Sequence, residues 1–194
     1  MFMDFIGECM DEIANQLAKM RYMFGGKSTL PVTILTMSGA GMNLAAQHSQ
    51  SLEAWLCHVP GLKVVMPSTP YDVKGAIITA AREPNPVFVV MCKGLMALPG
   101  KVPEEAYEIP IGKAKLLREG DGLSIIAHGR MTHEAMKAAE ILEDEGVNSE
   151  VIDPLWLQPL DTEAIVSSVV SCVLFFSANF MAEIICWVGV MFQM

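Results

Sequence analysis

A regular alternation of strand-like and helix-like runs is the feature that most constrains the fold of this chain. Three short runs are apolar or β-branched, as buried strands are: LPVTILTM (30–37), LKVVMP (62–67) and VFVVM (87–91). Helix-like stretches at 49–58 and 69–82 separate them. Strands separated by helices predict βαβ units and a mainly parallel sheet, so we expect an α/β fold.

The helix after the second strand has a clear start signal. Thr69 is placed to cap it, Pro70 suits the first helical position, and Asp72 stands three residues after the cap. A further helix is predicted over 5–24, where apolar residues recur at helical spacing until Gly25 ends the pattern.

A second α/β unit follows a stretch of mixed charge that lacks periodicity. Its predicted elements are a strand at 123–129, a helix at 131–146, a strand at 149–154 and a helix from about Asp161. We therefore divide the chain into a first domain at 1–98, a linker at 99–120 and a second domain at 121–194.

Charge and cysteine usage exclude some function classes. The formal net charge of −9 over 194 residues argues against nucleic acid or an anionic membrane surface as the main partner. Five cysteines without Cys-x-x-Cys spacing predict reduced thiols rather than a zinc or disulfide framework.

With acidic residues near the start, where a leader would be basic, we expect a bacterial cytoplasmic protein or, as the lesser alternative, a mitochondrial matrix protein.

The stretch at 165–182 is strongly apolar and contains no charged residue. Its length is close to the roughly 20 residues that a membrane span needs. Its interspersed serines and an asparagine fit a buried strand as well, so we expect no membrane span.

Two histidines are placed where chemistry is plausible. His48 lies in AAQHSQ, between the SGAG turn and the helix-like stretch at 49–58, and ligands collect at such strand ends in open sheets. A histidine there could transfer protons near neutral pH, or it could be a structural residue held by backbone groups. His128, close to Arg130 at another strand end, fits an anion or partner contact and a capping role equally well.

Five motifs in order add a resemblance to this pattern: MRYMFGG, AAQHSQSLEAW, HVPGLKVVMPSTPYD, AAREPNPV and IPIGKAK. Together they resemble the beta subunits of thiamine-diphosphate-dependent 2-oxoacid dehydrogenases, with pyruvate and acetoin dehydrogenases as the nearest in character. The resemblance covers residues 1 to about 165. It implies a transketolase-like pyrimidine-binding domain, followed by part of a transketolase C-terminal α/β domain.

The resemblance also implies partners and a reaction. The family assembles as α2β2 heterotetramers, in which thiamine diphosphate lies between an α and a β chain and the α subunit holds Mg²⁺. The expected reaction is oxidative decarboxylation of pyruvate or a related 2-oxoacid, or acetoin cleavage, with acyl transfer to a lipoyl-lysine. The expected partners are an α subunit, a second β subunit and a lipoyl-bearing acyltransferase.

Site residues follow from matching positions in the family's motifs. His48 matches a catalytic histidine that points towards the reactive carbon of the cofactor and assists proton and acyl transfer. Its neighbours Gln47, Ser49 and Gln50 match positions that contact the cofactor or orient that histidine. Phe5 matches an aromatic that packs on the aminopyrimidine ring, and Glu8 matches a polar contact beside it.

A potassium site is implied on a second set of residues. Its ligands are mainly backbone carbonyls, the oxygen type that hard cations prefer. The matching positions are Val32, Ala80, Ala81, Glu83 and Asn85, and Glu83 stands where an aspartate is usual.

Departures from the family leave the enzymatic role open. The family's activating glutamate lies on a segment upstream of the matched residues, and the C-terminal residues match poorly, so we expect a chain truncated at both ends. Alone, it is expected to be inactive. The rival hypothesis is a non-catalytic paralogue or fragment that only binds a partner subunit.

Overall fold

The computed structural model describes residues 1–171 and 174–177, and only the backbone of residues 171 and 174–177. The chain forms two compact units. The first comprises Met1–Gly112 and Trp156–Pro159, and the second comprises Lys113–Leu155 together with the described residues from Leu160 onwards. The apolar run predicted at 165–182 lies only partly inside the described residues. Among these residues, no helix has the length and apolar character needed to cross a membrane.

The described residues form eight strands. In chain order they are β1 (Thr33–Ser38), β2 (Lys63–Val65), β3 (Val87–Cys92), β4 (Lys115–Arg118), β5 (Leu123–Ile126), β6 (Ser149–Asp153), β7 (Trp156–Gln158) and β8 (Leu174–Ser177). The α-helices are α1 (Met20–Met23), α2 (Glu53–Cys57), α3 (Pro70–Arg82), α4 (Arg130–Asp144) and α5 (Thr162–Ser171). The prediction of an α/β fold is confirmed.

The first unit is built on a four-stranded sheet in the order β1-β3-β2-β7. β1 and β2 both run parallel to β3, as the alternation of strands and helices predicted, and β7 joins the edge antiparallel to β2. Phe88, Val64 and Val90 are fully buried in this sheet. Met3 and Ile6 pack into the same apolar core from the N-terminal segment, so this segment is anchored to the sheet.

The N-terminal segment is helical but not a regular α-helix. It begins as a 3₁₀-helix at Met3–Cys9, passes through a π-helix at Glu12–Leu17 and ends in α1. The apolar spacing thus predicted the helical character of 5–24 correctly, but not the changes of pitch, which alter which side chains face the sheet.

α3 matches its predicted start and end. Thr69 Oγ1 accepts a hydrogen bond from the Asp72 backbone amide at 3.2 Å, and Pro70 occupies the first helical position. By contrast, the predicted helix at 49–58 is shorter. The residues before Glu53 form a 3₁₀ turn at Ala46–His48 and a connecting loop.

The second unit contains the sheet β4-β6-β5-β8. β5 lies parallel to β6 and β8, and β4 pairs antiparallel with β6. The small residues Ala135 and Ala139 of α4 pack on Ile125 and Val151 of this sheet. β4 lies within the predicted linker at 99–120 and was not expected, because four residues with a half-exposed Leu116 show no strand-like alternation.

Candidate functional site

The site begins where β1 and β3 end. The two strands are parallel neighbours in register, with Ser38 opposite Cys92, so the segments that follow them leave the same edge of the sheet. The loop after β1 carries His48, and Lys93 follows β3 directly. The N-terminal residues reach the same edge, because Phe2 forms a bridge with Met37.

His48 is half-buried and faces two aromatic rings. The centroid of its imidazole lies 5.3 Å from that of Phe5 and 5.8 Å from that of Phe2, with both pairs close to edge-on. Phe5 remains 38% exposed. The fold therefore brings together two residues predicted for the site, His48 and Phe5, and adds Phe2.

The loop around His48 is held by its own polar groups. Ser49 Oγ donates a hydrogen bond to the Ala45 carbonyl at 2.7 Å, and the Gly39 amide donates to the Gln50 carbonyl at 2.8 Å. Ala45 takes a positive φ of 60°, which lets the chain turn sharply into the 3₁₀ turn. Gln47 is exposed, and Glu8 is exposed on the N-terminal 3₁₀-helix.

A buried ion pair lies beneath this loop. Lys93 Nζ is 2.6 Å from Asp4 Oδ2, and both side chains are fully buried. The same ammonium donates to the His48 carbonyl at 2.8 Å and lies 4.4 Å from the centroid of the Phe2 ring. The other oxygen of Asp4 accepts a hydrogen bond from the backbone amide of Gln50 at 2.8 Å.

The environment keeps Asp4 ionised. Burial by itself would raise the pKa of this carboxyl, but the hydrogen bonds from Lys93 and the Gln50 amide, with the charge of Lys93, outweigh it. The pKa of Asp4 is therefore lowered below its ordinary value.

A second buried polar contact closes the base of the loop. Ser38 Oγ, at the end of β1, donates to Glu53 Oε2 at 2.6 Å, and both residues are buried. Glu53 begins α2, so this contact joins the strand before the loop to the helix after it.

A cavity of about 380 Å³ adjoins the site between the N-terminal helical segment and β1. Its wall is mostly apolar and includes Phe2, Ile6, Ile34 and Phe88. Phe2 thus contacts His48 and also lines this cavity, so the cavity adjoins the aromatic pair.

The residues predicted to bind potassium lie at the opposite end of the same strands, where Thr33 pairs with Val87. Hydrogen bonds join Ala80, Glu83 and Asn85 to one another, whereas Val32 bonds to Val87. The Val32 carbonyl accepts the Val87 amide at 3.0 Å, and the Ala80 carbonyl accepts the Glu83 amide at 3.2 Å. The Glu83 carboxylate forms an ion pair with Lys63 at 2.8 Å and also accepts a hydrogen bond from the backbone amide of Asn85.

The same contacts set the charge of Glu83. Burial would raise its pKa, and the contacts with Lys63 and Asn85 outweigh this, so the pKa is lowered. Among the described residues, no group of three or more His, Cys, Asp or Glu side chains is arranged to hold a metal ion. Any cation here would therefore depend on carbonyl oxygens.

His128 does not offer a positive charge for an anion. It is 9% exposed at the junction of β5 and α4, and burial lowers its pKa to about 4. Its imidazole is therefore neutral at physiological pH.

Comparison with known proteins gives the chain a family. The model of the transketolase pyrimidine-binding domain matches residues 1–99, and that of the transketolase C-terminal domain matches residues 112–173. The chain belongs to the transketolase pyrimidine-binding domain family.

The relatives within this family are beta subunits. The chain is 52% identical over 169 residues to the acetoin:2,6-dichlorophenolindophenol oxidoreductase subunit beta of Cupriavidus necator, and 48% identical to the protein of the same name from Bacillus subtilis. It is 46% identical to the pyruvate dehydrogenase E1 component subunit beta of Bacillus subtilis. The predicted resemblance is confirmed, and this family implies the use of thiamine diphosphate.

The three alignments cover 87% of this chain and 50%, 49% and 52% of the respective relatives, so the chain spans about half the length of the proteins it matches. A solved structure described as a split-gene transketolase, an inactive beta4 tetramer, superposes with a TM-score of 0.74 at 27% identity. That match covers 91% of this chain and 55% of the other.

Sequence reasoning did not single out Phe2, Asp4 or Lys93. A lysine directly after the apolar strand VFVVMC is the signal that could have drawn attention to Lys93. Its partners lie 89 and 45 residues away in sequence, however, and only the order of strands in the sheet brings them together.

Proposed function

We propose that this chain serves as the beta component of a thiamine-diphosphate-dependent dehydrogenase that acts on pyruvate, a related 2-oxoacid or acetoin. The observation that carries the proposal is His48, set between two phenylalanine rings on a loop fixed at the carboxyl edge of the first sheet. The similarity to beta subunits of acetoin and pyruvate dehydrogenases supports it.

The exposed aromatic surface fits the proposed cofactor. Phe5 is 38% exposed, although a phenylalanine is normally buried, and it lies beside His48. A planar aminopyrimidine ring could cover this side chain, with Gln47, Gln50 and Glu8 as polar neighbours. When bound, thiamine diphosphate would supply a nucleophilic carbon that adds to the 2-oxo group and a cationic ring that accepts the electron pair of the broken bond. The diphosphate and Mg²⁺ are assigned to the α subunit.

His48 is the proton-transfer residue in this proposal. Its imidazole is half-buried beside the two phenylalanine rings, and the loop contacts hold the backbone that carries it. An imidazole held in this way suits general acid–base catalysis. We assign it to proton transfer at the reacting carbonyl oxygen and to the passage of the acyl group to a lipoyl-lysine. Ser49 acts by closing the loop on the Ala45 carbonyl.

His48→Ala in the chain co-expressed with an α subunit tests this role. We expect the rate to fall by about 10²-fold or more, the scale of a lost acid–base group, with little change in melting temperature. Reduction of 2,6-dichlorophenolindophenol with acetoin or pyruvate would measure the first half of the reaction. Acylation of a lipoyl domain would measure the second half.

His58→Ala is the matched control, because His58 is an exposed histidine at the end of α2. Its removal is expected to leave both rates unchanged. Equal losses of melting temperature and activity in His48→Ala would show a structural residue, and unchanged rates would remove His48 from the reaction.

We also propose a potassium site at the amino end of the first sheet. The ligands would be the backbone carbonyls of Val32, Ala80, Ala81 and Asn85, since a carbonyl oxygen that accepts one hydrogen bond retains a second lone pair. The C-terminal end of α3 favours a cation at this place. Because Lys63 neutralises the carboxylate of Glu83, this side chain is assigned to orienting Asn85 rather than to donating charge.

Thermal unfolding in matched chloride salts tests the potassium site. We expect K⁺ to raise the melting temperature above that in Na⁺ at the same ionic strength, because only a cation of fitting size binds the folded carbonyl cage. Equal melting temperatures in the two salts over a concentration series would refute the site.

A second candidate function is that of a non-catalytic partner that only binds another subunit. The similar split-gene transketolase is described as an inactive beta4 tetramer, which favours assembly without activity for chains of this fold. In either case we assign an α subunit and a second copy of this chain as partners. We assign the protein to a bacterial cytoplasm rather than to a mitochondrial matrix. The lipoyl-bearing acyltransferase is a partner only of the catalytic form.

Co-expression with an α subunit separates the two candidates. Size-exclusion chromatography would show whether a complex forms, and a thiamine-dependent decarboxylation assay would show whether it is active. An active complex supports the enzyme, whereas a stable but inactive complex supports the binding partner. We expect the chain alone to show no activity, because the diphosphate site is assigned to the α subunit.

A further inference from the structure

We propose that Lys93 and Asp4 are positioning residues that fix the loop carrying His48 at the sheet edge. The inference rests on the proposed function in one respect, because the catalytic role proposed for His48 is what makes the position of its loop important. The positioning itself is a property of this chain and is measurable without activity.

Lys93 connects the three segments that meet at the site. It extends from the end of β3, contacts Asp4 of the N-terminal segment at 2.6 Å, and donates to the His48 carbonyl at 2.8 Å. One ammonium with three donors can satisfy both oxygens at once, and the nearby Phe2 ring adds a favourable contact with the cation.

Asp4 holds the loop at a second point. Its Oδ1 accepts the Gln50 amide at 2.8 Å, while Oδ2 accepts Lys93. The loop backbone is thus bound at residue 48 through its carbonyl and at residue 50 through its amide. Two attachment points on either side of Ser49 restrict both translation and rotation of this short stretch, and with it the direction of the His48 side chain.

The burial of the pair favours a positioning role over simple stabilisation. Both side chains have no exposed surface, and two charges taken out of water gain little net stability compared with apolar residues of the same size. The interaction energy of a buried pair falls steeply, however, when its geometry changes. The pair therefore enforces one arrangement of the groups it bonds. Hydrogen bonds to charged groups are also stronger than neutral ones.

Hydrogen exchange in the full chain provides the direct test. In Lys93→Gln we expect the Gln50 amide to exchange about 10- to 100-fold faster, the factor that corresponds to loss of charge-assisted hydrogen bonding. Nuclear Overhauser contacts between the His48 ring and the rings of Phe2 and Phe5 should weaken in the same variant.

Lys63→Gln is the matched control. It breaks another lysine–carboxylate contact in the same unit, at 2.8 Å from Glu83, but at the opposite end of the sheet. A purely structural loss of stability would speed the exchange of core amides in both variants alike. Positioning predicts that Gln50 exchange and the His48 ring contacts change in Lys93→Gln alone.

Two further variants guard against misfolding. Lys93→Arg keeps the charge and should restore most of the Gln50 protection. If Lys93→Gln does not fold because Asp4 is left buried and unpaired, the double variant Asp4→Asn with Lys93→Gln removes both charges and should show the same rapid Gln50 exchange. Native Gln50 protection and unchanged His48 ring contacts in a folded neutral variant would overturn the inference.

The outcome is separable from that of the proposed function. Suppose that His48→Ala abolishes activity, while Lys93→Gln and the double variant leave Gln50 amide exchange and the His48 ring contacts unchanged. The positioning inference then fails, and the catalytic assignment stands. If the loop is released but His48→Ala keeps full activity, positioning stands and the assignment of His48 fails.

Discussion

His128 is a buried histidine whose ionisation the fold changes strongly. Burial lowers its pKa to about 4, against an ordinary value of about 6.5, so the folded state favours the neutral imidazole. Between pH 6.5 and 4 the unfolded chain therefore binds one more proton than the folded chain. The free energy of unfolding falls as the pH is lowered through this window.

We expect His128 to account for a loss of about 3 kcal/mol in unfolding free energy between pH 7 and pH 4, at about 1.4 kcal/mol per pH unit. Urea unfolding at a series of pH values would measure it. The comparison is with His128→Gln, in which the slope over this window should largely disappear, whatever the variant costs at pH 7. An unchanged slope would show that His128 is not the titrating group.

Carboxylates with lowered pKa values act in a different window. Asp4, Glu83 and Asp161 are stabilised in their charged form in the folded chain. For Asp161, burial would raise the pKa, but hydrogen bonds from the backbone amides of Ala114 and Ala164 and the charge of Lys113 outweigh it. Their contribution is present above the ordinary carboxyl pKa near 4 and is lost as the pH falls further, through their folded pKa values. The loss due to His128 should therefore precede theirs during acidification.

At the scale of elements, a close backbone contact joins the N-terminal segment to the turn before β2. Gly61 has a φ of +101°, and a Cβ atom there would lie 2.0 Å from the Ala18 carbonyl oxygen. Because this oxygen belongs to the backbone, such a clash can be relieved only if the N-terminal segment moves. Gly25 also has a positive φ, of +59°, but has open space around it.

Gly61→Ala is therefore expected to cost about 2–5 kcal/mol, from left-handed strain and the clash together. The matched variant Gly25→Ala should cost only about 1–2 kcal/mol, from the strain alone. Chemical denaturation of both variants would measure the difference. Similar losses in the two variants would show that the N-terminal segment is not packed on this turn.

At the scale of the whole molecule, the chain leaves the first unit at Gly112 and returns to it at Trp156. The returning strand β7 pairs with β2 and brings Trp156 into a fully buried position opposite Val65. The first sheet is thus completed by residues more than ninety positions further along the chain than β2.

Trp156→Ala is expected to lower the unfolding free energy by about 3–5 kcal/mol and to speed amide exchange along β2. Trp55→Ala is the control, because that side chain is 49% exposed and its loss should cost less than about 1 kcal/mol. Circular dichroism in urea would report the stability of each variant. Retained β2 protection in Trp156→Ala would mean that β7 does not depend on this side chain.

The sequence by itself determined most of the local structure of this protein. Apolar and β-branched runs predicted β1, β2 and β3, and Thr69, Pro70 and Asp72 predicted the start of α3. It also determined the family, because the order of the motifs along the chain can be recognised without knowledge of the three-dimensional packing. Strands as short as β4 and β7 were missed, since three or four residues are too few to show a period.

Only the tertiary structure decided which distant residues form the candidate site. Local patterns reflect hydrogen bonds and solvent exposure within a few residues, so they predicted the loop around His48 but not what holds it. The contact of Lys93 with Asp4 spans 89 positions and depends on β3 lying beside β1 and on the N-terminal segment crossing their ends. A buried charge is tolerable only where that sheet order supplies its partner, and no local pattern encodes this order.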